Sequence, residues 1–175
     1  LARAELLSRS GERIAWPGIA SPFSARSGAE TLSLRLAAGQ PSDAPDLTPI
    51  KRFSEVMIAS DFLDPVNEIM SRLQPLAERG VKGHLIEICD PAEETFPYAG
   101  RLEFIDPESG ERLKLGRAET FATDYRDLFL ARRAELRAWT ARFGWSHTLH
   151  HTDKLATEPL ARLHLLMSEA GDLWQ

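Results

Sequence analysis

The chain is poor in the features that mark several protein classes. It has one cysteine, Cys89, so it has no internal disulfide. That thiol lies in an apolar run, which predicts a buried side chain, and a reducing, cytoplasmic setting fits it. Basic residues do not predominate: 21 Lys and Arg face 26 Asp and Glu, giving a formal charge of −5, which argues against a general nucleic-acid footprint. No apolar run nears the roughly 20 residues that a membrane span requires. There is no Walker lysine loop, no G-x-G-x-x-G, no H-E-x-x-H and no C-x-x-C pair. Ser60 lacks a G-x-S-x-G frame, and Cys89 has no cationic neighbour in sequence to activate it. Nucleophilic catalysis therefore has little support.

What remains is an ordinary globular composition over 175 residues, 43% hydrophobic and 27% charged, which suits a single domain, 1–175. Leu1 falls directly in a helical pattern, so the expectation is an N-terminally incomplete fragment of a longer protein. Residues 1–10 read as the end of an amphipathic helix stopped by Gly11, and 13–20 as a strand weakened by Pro17 and Gly18. Residues 25–38 read as a helix, although Leu32, Leu34 and Leu36 alternate like a strand, and 39–49 as a proline-rich loop. A buried strand is expected over 52–60. Asp64 and Pro65 then open a helix whose apolar face is Val66, Ile69, Met70, Leu73 and Leu76. Residues 84–89 are the next strand. Residues 101–105 and 111–115 alternate about a turn-rich loop and form a β-hairpin. A long helix over 123–143 carries Tyr125, Leu128, Phe129, Arg132, Leu136 and Trp139 on one side; a strand over 145–151 and a helix over 159–170 follow. Strands alternating with helices predict an open, mostly parallel α/β sheet with helices on both faces, plus the hairpin insertion.

Three apolar runs stop on an aspartate: Asp61, Asp90 and Asp153. In an open parallel sheet the carboxyl ends of strands are where ligands bind. If the three strands were consecutive and in register, about 4.8 Å apart, their carboxylates could share a hard cation, as in a metal-dependent phosphoester hydrolase. Aspartate also favours helix caps and loops, which is the competing reading. Asp61 ends the most apolar strand and is expected at the middle of the sheet. His147, His150 and His151 suggest a metal, but adjacent residues point to opposite faces, and His147 lies about 13 Å from His151 along theirs. A partly exposed strand end is expected there instead. Arg132, Arg133, Arg137 and Arg142 read as a solvated helix face, with docking of an acidic partner as the alternative.

The residues Ser60-Asp61-Phe62-Leu63 after an apolar strand resemble the equivalent stretch of the bacterial "domain of unknown function 58" family. Asp90-Pro91-Ala92-Glu93-Glu94, Pro97, Gly100-Arg101-Leu102-Glu103-Phe104, Asp106 and Glu108-Ser109-Gly110-Glu111 are similar to that family's signature, as are Tyr125-Arg126 and Thr152-Asp153. The resemblance implies a von Willebrand factor A-like, Rossmann-type fold. It implies Mg²⁺ or Mn²⁺ bound at a metal-ion-dependent adhesion site that a partner's carboxylate completes. It also implies an adaptor role beside a MoxR-type AAA+ ATPase. Asp61 is the residue that carries over as a metal ligand, on the strand at the switch point of strand order, and Thr48 matches the threonine-bearing loop. The first metal motif of that fold, D-x-S-x-S, does not occur in the chain; the resemblance implies that it lies upstream of Leu1 together with the first central strand.

Overall fold

The computed structural model describes residues 1–25, 27–39, 45–106 and 109–172. These form two compact units. One comprises Leu1–Val56, Ser71–Lys82 and the chain from Leu160 onward; the other comprises Met57–Met70 and Gly83–Pro159.

The first unit opens with helix α1 (Ala2–Arg9), strands β1 (Ile14–Trp16) and β2 (Ala20–Phe23), and helix α2 (Gly28–Ala38). The expected single strand over 13–20 is instead the first half of an antiparallel hairpin. The chain reverses at Pro17 and Gly18, where the Ile19 amide donates to the Trp16 carbonyl and Gly18 takes a φ of 77°, a conformation a side chain resists. Ala4, Ile14, Ala20 and Leu32 make the local core, with Leu7, Phe23 and Leu36 packed on it. Only Leu32 of the three alternating leucines is buried, because a helix, not a strand, carries them. Of the expected loop over 39–49, residues 40–44 lie outside the described residues.

The chain continues through β3 (Glu55–Ser60), α3 (Val66–Glu78), β4 (Lys82–Cys89), a one-turn helix α4 (Pro91–Thr95), the hairpin β5 (Leu102–Ile105) and β6 (Arg112–Leu115), a 3₁₀ turn (Ala118–Thr120), α5 (Ala122–Arg142), β7 (Ser146–His151) and α6 (Thr157–Asp172). Among the described residues the sheet is parallel and three-stranded, in the order β3-β4-β7, and helices flank it. The fold is therefore an open α/β fold with antiparallel hairpins added. No helix among the described residues is long and apolar enough to cross a membrane.

Strand position corrects one expectation. Among the described residues β3 pairs with β4 alone and its residues alternate between half-buried and exposed, Met57 among the exposed, so Asp61 follows an edge strand of the described sheet. The central strand is β4, buried along most of its length. Its Gly83 has no room for a side chain: a Cβ there would lie 2.0 Å from the Trp145 ring. The expected apolar face of α3 is present, with Val66, Ile69, Leu73 and Leu76 buried.

The buried stripe of α5 differs from the side picked out in the sequence. It consists of Phe129, Arg133, Leu136 and Thr140, spaced four, three and four residues apart, while Leu128 is 73% exposed. The hairpin pairs as expected, Leu102 opposite Leu115 and Phe104 opposite Leu113. Pro107 and Glu108 of its turn lie outside the described residues.

Candidate functional site

The parallel register of β4 and β7 builds the site. Glu87 lies opposite Leu149, and Cys89 opposite His151. Side chains two apart share a face, so Glu87 and Cys89 of β4 and His147 and His151 of β7 all project to one side. Arg133 is brought in by the buried stripe of α5, and Glu94 by α4. This short helix forms at that point because Asp90 caps it, accepting from the Ala92 amide at 2.8 Å, and Pro91 occupies its first position.

Arg133 is the hub. Its Nε donates to Glu87 Oε1 at 2.9 Å, its Nη1 to Glu94 Oε1 at 2.7 Å, and its Nη2 to the Cys89 sulfur at 3.5 Å. Its guanidinium also lies 4.9 Å from the centre of the Phe129 ring. The second oxygens meet imidazoles: His151 Nε2 is 2.7 Å from Glu94 Oε2, and His147 Nε2 is 2.9 Å from Glu87 Oε2. The His147 approach is close but lacks the alignment of a hydrogen bond. Glu87, Arg133 and His147 are almost wholly enclosed, whereas about 30% of the Glu94 and His151 side chains faces solvent (29% and 32%).

The electrostatics follow from this enclosure. Burial pushes the Glu87 carboxyl up, but His147 and Arg133 outweigh it and hold the group below the usual carboxylate range. His151, helped by Arg133, does the same for Glu94 against its partial burial. Burial acts against the Arg133 cation as well, and the two carboxylates more than restore it. The Cys89 thiol goes the other way: burial raises it, and Arg133 does not compensate, so the free thiol is not an activated nucleophile.

The aspartates have other surroundings. Asp61 is exposed beyond the end of β3 in a local turn, its Oδ1 accepting from the Leu63 amide at 3.2 Å and from the Ser60 hydroxyl at 3.4 Å. Phe62 follows with a φ of 51° and is buried, and its carbonyl accepts from Arg132. Besides capping α4, Asp90 accepts from the Thr152 hydroxyl at 3.0 Å. Asp153 makes an exposed ion pair with Lys154. Among the described residues, Asp61, Asp90 and Asp153 do not form a three-ligand cluster; Cys89, Glu94 and His151 do. Thr48 bonds to Asp46 through both its amide and its hydroxyl, and belongs to the other compact unit.

One expectation is corrected here. Arg133 is not on a solvated helix face but 5% exposed, because two carboxylates and an aromatic ring enclose it. The strand end that carries the histidines is partly exposed, as expected, although the His147 side chain itself is enclosed beside Glu87. The signals were present in the sequence: a lone glutamate inside an apolar strand requires a cation, and histidines four apart on a strand share a face. What sequence could not supply was the register joining them.

No curated protein and no solved structure matches the chain. One family does match, over residues 35–135, a stretch that runs from α2 through most of α5 and includes Asp61, Glu87, Cys89, Glu94 and Arg133. As that stretch is more than half of the sequence, the chain belongs to the family described as "protein of unknown function DUF58".

Proposed function

We propose that the chain is a non-enzymatic protein-interaction domain of von Willebrand factor A-like fold, acting as an adaptor with a MoxR-type AAA+ ATPase. The observation that carries this reading is the position of Asp61: a solvent-facing carboxylate immediately after the C-terminal end of a parallel strand, where open α/β sheets bind ligands. Family membership supports it through the resemblance carried by residues 60–63 and 90–111.

In this reading Asp61 contributes one oxygen to Mg²⁺ or Mn²⁺. Mg²⁺ demands about six ligands in near-octahedral array. A single carboxylate fits as one member of that shell and cannot fill it, so the remaining donors come from an upstream D-x-S-x-S segment and from the partner's own carboxylate. The metal, when bound, supplies a charged bridge between the two proteins. The chain's own contribution is to hold the Asp61 side chain in its turn and present it to solvent.

The test is calorimetric titration of Mg²⁺ and Mn²⁺ into the full-length protein that includes the upstream strand. Asp61→Ala is expected to weaken binding at least about tenfold, as loss of a directly coordinating group should. Equal affinity in both proteins removes the metal from the reading. Failure of the full-length protein to bind a MoxR-type ATPase, with or without metal, removes the adaptor role.

A further inference from the structure

We infer that Cys89, Glu94 and His151 form a second metal site, distinct from Asp61 and selective for a borderline-soft divalent cation such as zinc. Thiolate, imidazole and carboxylate are the donors zinc takes, in a tetrahedral shell with bonds of about 2.0–2.3 Å. Such a shell places its ligand atoms about 3.3–3.6 Å apart. The three side chains each offer one ligand atom, all within 4.8 Å of one another, so a small adjustment seats an ion.

The fold fixes these donors. Cys89 and His151 are register partners on adjacent parallel strands. The chain turns directly from Cys89 into α4, which returns Glu94 above them. The Thr152 amide donates to the Cys89 carbonyl at 3.0 Å and the Thr152 hydroxyl to Asp90 at 3.0 Å, which ties the end of β7 to the start of α4. Cys89 is at the closed end, while Glu94 and His151 open to solvent and leave an entry path and a fourth position for water.

Arg133 fits as the outer partner. It holds Oε1 of Glu94, so Oε2, which meets His151 Nε2 at 2.7 Å, is the oxygen that turns to the ion once that contact opens. Charge agrees as well. Two carboxylates and a thiolate would leave the enclosed cluster two charges negative after Arg133 is counted, and one divalent ion cancels them when both imidazoles are neutral. Binding replaces the hydrogen bond between His151 and Glu94 with a bond from each to the ion, the remaining imidazole proton sitting on the ring nitrogen that does not coordinate. It also forms the metal–sulfur bond, breaks the Cys89 S–H bond and releases that proton to solvent.

The test is titration of Co²⁺ into the full chain, followed by displacement with Zn²⁺. Cys89 is the one cysteine present, so a thiolate-to-cobalt charge-transfer band can come from no other sulfur. The expected result is that band together with tetrahedral ligand-field absorption at one equivalent, both abolished by Zn²⁺. His151→Gln and Glu94→Gln should each weaken binding at least about tenfold, while His150→Gln, on the opposite face of β7, should leave it unchanged. Absence of the charge-transfer band overturns the inference, as does equal cobalt affinity in His151→Gln and wild type. Should the variants unfold by circular dichroism, the wild-type spectrum decides alone.

Discussion

Arg133 shows how much one residue can organise. It is a buried cation whose cost of leaving water is offset by Glu87, Glu94 and the Phe129 face together. Removing it leaves the buried Glu87 carboxylate, and Glu94 beside it, without the cation they share. Arg133→Met is accordingly expected to destabilise the protein by about 3–5 kcal/mol in urea unfolding. A loss below about 1 kcal/mol, typical of an exposed ion pair, would show that the network is not sealed from solvent. Sequence reading singled out Cys89 and the histidines, but neither Glu87 nor the link between the members. Glu87 was legible as an anomaly in an apolar strand and the histidine spacing as a shared face. Arg133 was hidden among neighbouring arginines, where the common reading of a charge run as solvated holds for Arg137 and Arg142 but not for it. Asp90 illustrates the opposite outcome: capping, the competing reading of a strand-end aspartate, is what its carboxylate does.

Among the elements, α5 was the hardest to orient. Its buried stripe contains Arg133 and Thr140, and its outer face carries Leu128 and Leu130, so apolar periodicity alone favours the wrong side. Paired substitutions check the orientation. Leu136→Ala, at 2% exposure, should cost about 2–5 kcal/mol, and Leu128→Ala should stay within about 0.5 kcal/mol. Comparable losses at both sites would contradict the observed rotation of the helix. Where local chemistry is strong, the elements were readable. The alternation of β5 and β6 gave the hairpin, and the apolar spacing of α3 gave its buried face. Where an element depends on its neighbours, they were not. Strand β3 is apolar enough to be central, yet among the described residues it pairs on one side only. Segment 13–20 looked continuous, and the reversal at Gly18 depends on a turn that a period-two pattern does not encode.

For the whole molecule, the alternation of strands and helices was enough to anticipate an open α/β fold, because parallel strands need crossovers and those crossovers are readable as helices. The division into two compact units was not legible, because each unit gathers stretches far apart in the chain and the boundaries cut through α3, β3, β4 and α6. Metal chemistry was expected at aspartates, which are easily seen at strand ends, whereas the donors that converge come from β4, α4 and β7.

The burial of Cys89, at 1% exposure, has a practical consequence. A bulky maleimide cannot reach the sulfur while the strands around it remain closed, so labelling should proceed only through opening of the sheet. Because the chain has no other thiol, the rate of dye incorporation reads that opening directly, without any engineered probe. Labelling of the folded protein as fast as of the urea-unfolded chain would mean that the strand ends around Cys89 are already parted.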